Sequence, residues 1–231
     1  SRVVVYRINS AGQLQFQVQL ADSNVFVPFD GSQTFSAWTT VPGTGELVGS
    51  PAATSGSEVF AQGADGRLRR FFNSSGKLPA TSPWAITTFP PLPNGIRIAG
   101  SPTIGEAVST SSGTEAIVLG SDGALWAIGR SSTASWTQVI PTDLSATGAV
   151  AIDARAEGAG QRLWVIDKDH VRRQYDWQPL AGWSLDTEVA AGPWGGSPAS
   201  LALPHGPTVV VGIDAEGRIV SEAVGGDRFV N

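Results

Sequence analysis

The chain has 231 residues, of which 41% are hydrophobic and only 15% are charged, and its formal net charge is −5. This charge argues against a nucleic-acid-binding protein, because such proteins usually present a basic face to the phosphate backbone. The absence of cysteine excludes disulfides, thiolate catalysis and cysteine-ligated metals. No apolar run approaches the roughly 20 residues of a membrane-spanning helix, and no leader is visible, so the compartment stays open between the cytoplasm and non-classical secretion.

Five similar phrases run along the chain, each consisting of two strand-like apolar runs around a tight turn. They begin at Val3, Glu58, Glu115, Arg162 and Thr208, and their turn residues are Gly12, Gly66, Gly123, Asp169 and Gly217. Asp-Gly and similar pairs between strands predict hairpins with type I′ turns, whose two central residues need positive φ. Successive turn residues are 54, 57, 46 and 48 positions apart, which indicates an internal repeat.

Two further phrases accompany the hairpins. A Gly-Ser-Pro strand starts at Gly49, Gly100 and Gly196, and a degenerate copy starts at Thr147. A short run opened by an aromatic residue follows most hairpins, at Trp38, Trp84, Trp136 and Trp183, with Phe229 in the fifth position. One repeat therefore contains four short strands in about 40 to 50 residues, which is typical of a propeller blade.

The repeats predict an all-β chain, a five-bladed β-propeller of four-stranded antiparallel blades with nearly no helix. We expect one domain over residues 1–231, with repeats at about 1–48, 49–99, 100–146, 147–195 and 196–231. A β-sandwich would also contain short strands but has no reason to repeat a three-part phrase. The first repeat lacks an inner strand, so either residues 25–29 supply one or residues 227–231 close the ring.

Catalytic and metal-binding patterns are missing from the sequence. There is no Gly-x-Ser-x-Gly motif, the two histidines (His170 and His205) are predicted turn residues, and no metal or cofactor is expected. We predict that the protein is not an enzyme. A glycoside hydrolase is the alternative, which would require two or three converging carboxylates from Asp153, Glu157, Asp167, Asp169, Glu188 and Asp214. Asn73 begins an Asn-Ser-Ser glycosylation sequon for a eukaryotic secretory pathway.

Eight tryptophans without a catalytic set favour a carbohydrate-binding protein, because the C–H face of a pyranose stacks on aromatic rings. The stacking candidates are Trp84, Trp126, Trp136 and Trp183. Trp126 is included because its counterparts, counted from the turns, are Gln15, Arg69, Arg172 and Val220, which predicts an outward or pocket-lining position. The alternative role for the tryptophans is to pack one blade against the next.

Charged residues recur at two positions of the repeat and predict hydrogen bonds to sugar hydroxyls. The first position of the long strand holds Arg2, Glu58, Glu115, Arg162 or Thr208; the fourth position beyond the turn holds Phe16, Arg70, Ala127, Arg173 or Ser221. The predicted sugar-binding residues from these positions are Glu58, Glu115, Arg70, Arg162 and Arg173. The second and fourth repeats are best equipped, since each carries an Arg pair, although such pairs also occur as solvated charges that protect a sheet edge.

The stretches "GSPAATSGSEVFAQGADGRLRRFF" and "RLWVIDKDHVRRQYDWQPLAGW" resemble blades of fungal fucose-specific lectins and related bacterial propeller lectins. The blade count also resembles the tachylectin type, which binds N-acetylated amino sugars. The resemblance implies a multivalent lectin whose partners are glycans ending in fucose or N-acetylated amino sugars, with no nucleic acid and no membrane insertion, and it leaves oligomerisation open.

Residue by residue, the resemblance implies an Arg at the start of the long strand, matched by Arg2 and Arg162. The closing aromatic is matched by Trp84, Trp136 and Trp183. A Glu four residues past the turn is not matched, so the resemblance implies a sugar-binding propeller without fixing fucose as its ligand. The alternatives are a protein-interaction scaffold and a propeller hydrolase.

Overall fold

The computed structural model describes residues 4–18, 35–55, 58–73, 83–105, 115–129, 135–138, 149–157, 160–167, 172–178, 182–189, 199–202, 208–213 and 219–224. Within these ranges the chain forms antiparallel strands and one short 3₁₀ helix, Pro93–Gly95. No helix in the described ranges is long and apolar enough to cross a membrane. For the described residues, the prediction of an all-β chain with nearly no helix is confirmed.

The strands form small antiparallel sheets, numbered here along the chain. The first sheet contains β1 (Val4–Ile8), β2 (Leu14–Val18) and β3 (Thr39–Thr40). The second contains β4 (Leu47–Ser55), β5 (Glu58–Gly63), β6 (Leu68–Phe72) and β7 (Ala85–Thr88). The third contains β8 (Thr103–Gly105), β9 (Glu115–Leu119), β10 (Leu125–Gly129) and β11 (Thr137–Gln138). The fourth contains β12 (Ala149–Glu157), β13 (Gly160–Asp167), β14 (Arg172–Gln178) and β15 (Gly182–Val189). The fifth contains β16 (Ala199–Ala202), β17 (Thr208–Ile213) and β18 (Ile219–Val224).

Each sheet draws its strands from a single sequence repeat, except that β4 begins two residues early, at Leu47. Strands that follow one another along the chain are neighbours in every sheet, as in a meander. Both segments predicted to complete the first sheet, residues 25–29 and 227–231, lie outside the described ranges. The chain forms two compact units, residues 1–91 and 92–231, which are described separately below.

The hairpin turns differ from the predicted type I′ geometry. In the first three, the turn glycines Gly12, Gly66 and Gly123 have φ of +70°, +77° and +77°, and each donates its N–H to the residue three positions earlier. The residue before each glycine does not have positive φ. These are type I turns followed by one left-handed glycine, which restores the twist of the flanking strands. The type I′ prediction is therefore wrong, whereas the predicted need for glycine at these positions holds.

The strand register also corrects the alignment of the fourth hairpin. In the second sheet Gln62 pairs with Leu68, and in the fourth Ile166 pairs with Arg172, so each pair encloses five residues. Counting within that loop, the equivalent of Gly66 is position 170 rather than Asp169. The sequence alignment of β14, the strand after the fourth turn, is therefore wrong by one residue. Arg173 corresponds to Arg69, and Gln174 corresponds to Arg70.

The core of the first unit lies between the first and second sheets. Leu14, Phe16 and Val18 alternate along β2 and are 0%, 1% and 2% exposed, because alternate residues of a strand point to the same face. They pack with buried residues of the second sheet, including Val59 and Phe71, in one apolar cluster. This face of the first sheet is therefore a packing surface.

The core of the second unit repeats this arrangement between the third and fourth sheets. Ile117 and Leu125 of the third sheet belong to one cluster with Leu163, Val165 and Tyr175 of the fourth, and all are at most 1% exposed. In both units, one face of an earlier sheet packs on the opposite face of the next. A polar residue on such a face therefore has to find a partner within the fold.

The side chain of Asn73, which begins the sequon, is only 1% exposed at the end of β6. An oligosaccharide attached to its amide nitrogen has no room in this fold. We therefore expect the sequon to be unused in the folded protein.

Candidate functional site

A row of polar and aromatic side chains crosses β13 and β14 of the fourth sheet. Arg162 pairs directly with Asp176, and Trp164 pairs directly with Gln174. Because side chains alternate between faces, these four residues share one face of the sheet. The residues between them, such as Leu163 and Tyr175, occupy the other face and form the core described above.

The charged pair of this row is bidentate and partly exposed. Arg162 donates from Nε to Oδ1 of Asp176 at 2.8 Å and from Nη2 to Oδ2 at 3.2 Å. The two side chains are 18% and 25% exposed. Two parallel N–H···O bonds hold a guanidinium and a carboxylate in a defined orientation. The pair therefore offers fixed donors and acceptors beside each other at a surface that solvent can reach.

The aromatic member of the row lies deeper. Trp164 is 0% exposed, and its indole Nε1 donates to Oε1 of Gln174 at 3.1 Å, while Gln174 itself is 5% exposed. This bond satisfies the indole N–H away from water. Trp164 and Gln174 are therefore the buried neighbours of the Arg162–Asp176 pair on this face of the sheet.

The second sheet carries an ion pair in the same row, with the acid and the base on exchanged strands. Glu58, at the position of Arg162, accepts from Nε of Arg70 at 2.6 Å, and Arg70 stands at the position of Gln174. Glu58 is 3% exposed as a side chain and Arg70 19%. The guanidinium also lies 4.9 Å from the ring centre of Phe72, which stands at the position of Asp176. Phe60, buried at 0%, takes the place of Trp164.

The other sheets do not reproduce this combination at the same positions. The first sheet has Val4, Phe16 and Val18, of which Phe16 and Val18 are buried in the core. The third has Glu115, whose side chain lies outside the described part, with Ala127 and Gly129. By register the fifth has Val209, Ser221 and Ala223. Among the sheets of the described chain, the second and fourth thus combine an acidic residue, an Arg and an aromatic residue at these positions.

The predicted stacking tryptophans have different surroundings. Trp84 is 8% exposed and belongs to the core of the first unit, with its ring 6.3 Å from that of Phe16. Trp126 is also 8% exposed, and its indole Nε1 lies 3.4 Å from Oδ1 of Asp122 in its own turn. The outward position predicted for Trp126 is therefore wrong, and the alternative of a pocket-lining position stays a prediction. Trp136 is half-buried, and the side chain of Trp183 lies outside the described part.

The tryptophans after the hairpins occupy two different positions. Trp38 and Trp136 each precede a residue that pairs with the same repeat position, Phe16 in one sheet and Ala127 in the other. Trp84 precedes Ala85, which pairs two positions further along, with Phe72. The spacing of the tryptophans in the sequence does not reveal this difference of two residues in their cross-strand position.

Arg173 lies away from the row that holds Arg162. Its backbone pairs with Val165, so its side chain belongs to the face of the fourth sheet that carries Leu163 and Tyr175. Its counterpart Arg69 donates to Asp65 at 3.3 Å and to the carbonyl of Gly45 at 3.1 Å. Burial raises the pKa of Asp65, but the Arg67 backbone N–H and the Arg69 guanidinium outweigh it, and the pKa is lowered from 3.8.

Asp176, Gln174 and Trp164 were not predicted as site residues. The signal that could have found them is the alternation of the strands together with a constant separation: Glu58 and Arg70 are twelve positions apart (58 to 70), as are Arg162 and Gln174 (162 to 174). Among the described residues, no group of three or more His, Cys, Asp or Glu could hold a metal ion.

Three solved structures share the fold of this chain over nearly its whole length. The SapL1 lectin, solved with alpha methyl fucoside, superposes with a TM-score of 0.63 at 15% identity, covering 97% of this chain and 73% of SapL1. The BP39L lectin from Burkholderia pseudomallei gives 0.54 at 16% identity, covering 97% of this chain and 66% of BP39L. AofleA from Arthrobotrys oligospora gives 0.52 at 10% identity, covering 95% of this chain and 67% of AofleA.

No protein-family model matches the sequence, and no curated protein is similar to it in sequence. The structural similarity, at these identities, concerns the fold. The resemblance to β-propeller lectins predicted from the repeat phrases is thereby confirmed at the level of the fold.

Proposed function

We propose that this protein is a non-enzymatic lectin that binds neutral sugars beside the Arg162–Asp176 pair of the fourth sheet. The observation that carries the proposal is the combination of that partly exposed bidentate pair with Trp164 and Gln174 on one face of the sheet. The second sheet has another ion pair in the same row, between Glu58 and Arg70. The fold shared with SapL1 and BP39L, both lectins, supports a carbohydrate ligand.

The chemistry of the pair suits vicinal hydroxyl groups. A sugar hydroxyl both donates and accepts, so neighbouring hydroxyls pair with a guanidinium N–H and a carboxylate oxygen at once. Hydrogen bonds to charged groups contribute about 1.5–3 kcal/mol each. Because each charge is already neutralised by its partner, a neutral sugar can dock without leaving an unpaired charge behind.

We further propose that the sheets are the blades of a five-bladed propeller, with sugar sites on the faces between neighbouring blades. Five sheets from five repeats support this arrangement. Several weak sites on one chain would raise the avidity for multivalent glycans without strengthening any single contact.

A glycan array on the intact protein identifies the ligand, and titration calorimetry with alpha methyl fucoside and N-acetylglucosamine then tests the site. Asp176→Asn is expected to weaken sugar binding about tenfold or more, since losing about 1.5 kcal/mol corresponds to a factor of ten. Asp65→Asn is the matched control, because it changes a second Arg-paired aspartate outside the row.

Equal loss of affinity in Asp176→Asn and Asp65→Asn would contradict the site, and no glycan binding by the unaltered protein would contradict the function. Capture of a protein ligand in place of glycans would favour the interaction scaffold. Turnover of a glycoside would favour the hydrolase.

A further inference from the structure

The first sheet has a face that differs from the corresponding face of the second and fourth sheets. In those sheets the strands carry Val59, Ala61 and Phe71, or Leu163, Val165 and Tyr175, all at most 1% exposed. The corresponding strand positions of the first sheet hold Val5, which is 38% exposed, the exposed Arg7, and Gln17. This face of the first sheet is therefore polar and exposed, whereas the corresponding faces of the second and fourth sheets form core.

Four side chains on this face are joined in a defined order. Arg7 pairs with Gln15 across the first two strands, and Gln15 pairs with Thr40 on the third. Arg7 Nε donates to Oε1 of Gln15 at 2.9 Å, and Gln15 Nε2 donates to Oγ1 of Thr40 at 3.1 Å. The guanidinium carbon of Arg7 lies 3.8 Å from the centre of the Trp38 ring. We call these four residues the Arg7 row.

The contact with Trp38 determines which chemistry this face can offer. Arg7 already covers one face of the indole, so that face is not available to stack on a pyranose. Stacking and the bond to Gln15 fix the guanidinium through its ring-facing side and its Nε. What remains is the edge formed by Nη1 and Nη2, and among the described residues this edge has no further partner. Two parallel N–H groups on one edge match a carboxylate or a sulfate.

The second sheet shows what the Arg7 row lacks. There Arg69 is neutralised by Asp65, an acidic residue in its own hairpin turn. The same position of the first turn is occupied by Ala11, and the neighbouring turn residues Asn9 and Gln13 are bonded to each other at 3.1 Å. On this face the first sheet therefore presents a preorganised guanidinium without an internal carboxylate, whereas Arg69, at the position of Gln15 on the same face of the second sheet, has one.

We infer that the Arg7 row is a second ligand site, which binds the carboxylate or sulfate group of an acidic saccharide. The saccharide part rests on the proposed lectin function, whereas the anionic group follows from the Arg7 geometry alone. Gln15 and Thr40 lie next to the guanidinium with amide and hydroxyl groups that match sugar hydroxyls. The site is separate from the Arg162–Asp176 pair, whose internal neutralisation selects neutral sugars.

The test measures binding of methyl glucuronide, sulfated methyl glucoside, uncharged methyl glucoside and sodium sulfate to the intact protein by calorimetry at constant ionic strength. Arg7→Gln is expected to weaken both acidic sugars about tenfold or more, because charge-assisted hydrogen bonds contribute about 1.5–3 kcal/mol. Arg7→Lys keeps the charge but loses the fork and the stacking, so we expect it to restore only part of the affinity. Arg97→Gln is the matched control, since Arg97 is exposed and removal of its charge changes the net charge equally.

Three results would overturn the inference. One is unchanged binding of the acidic sugars in Arg7→Gln, and another is equally tight binding of uncharged methyl glucoside. The third is sodium sulfate binding as tightly as the sulfated sugar, which would make the row a general anion site. Each variant is also titrated with alpha methyl fucoside. Loss of acidic-sugar binding with intact fucoside binding separates this site from the proposed function, and failure of the unaltered protein to bind any neutral glycan would count against the proposed function alone.

Discussion

Phe16 provides a sharp test of how one repeat position serves different purposes in different sheets. It corresponds to Arg70 in the second sheet and Gln174 in the fourth, both in the polar rows. In the first sheet it is 1% exposed, with its ring 6.3 Å from those of Tyr6 and Trp84. We predict that Phe16→Ala destabilises the fold and leaves sugar binding unchanged.

The expected magnitude follows from burial. Truncating a buried Phe to Ala costs about 3–5 kcal/mol, from the lost transfer free energy and the cavity that remains. At an m-value of about 2 kcal/mol/M, a loss of about 4 kcal/mol lowers the urea midpoint by about 2 M. Phe16→Leu retains most of the volume and should cost less than about 1.5 kcal/mol.

The assay is urea unfolding followed by tryptophan fluorescence, with alpha methyl fucoside binding measured well below the midpoint. Val5→Ala is the control, because that side chain is 38% exposed and its removal should change stability by about 0.5 kcal/mol or less. A loss below about 1 kcal/mol for Phe16→Ala would refute the packing argument. Weaker fucoside binding by the still-folded variant would refute the division between packing and ligand positions.

Three further outcomes are expected. Gly66→Ala should lower the free energy of unfolding by about 1 kcal/mol, because alanine is strained in a left-handed backbone conformation. Gly12→Ala should lower it measurably more, because its new Cβ would lie 2.9 Å from the backbone nitrogen of residue 46, whereas a Cβ at position 66 would meet open space. Equal urea midpoints for the two variants would contradict this. Burial raises the pKa of Tyr6 from 10.0 to about 12, so the unfolded chain releases this proton first and stability falls as the pH rises from 10 to 12. Tyr6→Phe should make that fall less steep when the free energy of unfolding is measured against pH. An unchanged slope in the variant would disprove it. Trp126→Phe should cost about 1 kcal/mol for the lost bond to Asp122 without changing fucoside affinity, and a parallel loss of affinity would instead support the predicted stacking role.

Local chain properties were sufficient to predict the strands and the positions of the three described turn glycines. Glycine at the three described turns was predictable because only glycine adopts a left-handed backbone without strain, as the φ values of Gly12, Gly66 and Gly123 illustrate. The turn type was not, since type I′ and a type I turn with a following left-handed glycine both favour Asp-Gly. The sequence misaligns the fourth hairpin because it matches Asp169 with the turn glycines, whereas the strand register matches position 170 with them.

The candidate site was predictable in its residue types and not in its pairing. Glu58, Arg70 and Arg162 were predicted as separate sugar ligands, but the sheet brings Glu58 and Arg70 together and gives Arg162 a different partner, Asp176. Cross-strand neighbours depend on register, and an error of one residue moves a side chain to the opposite face. Arg173 illustrates this, because it lies on the face opposite Arg162.

Residues 46 and 47, at the start of the second sheet, join the turns of the first two sheets through main-chain hydrogen bonds. The N–H of Leu47 donates to the carbonyl of Gly12, and the carbonyl of Glu46 accepts from the N–H of Ala64, so one dipeptide fastens two successive turns. Both bonds use main-chain atoms, which every residue except proline possesses. The first two sheets can therefore differ in the side chains of their faces, as Phe16 and Arg70 do at one repeat position, while these two bonds join their turns.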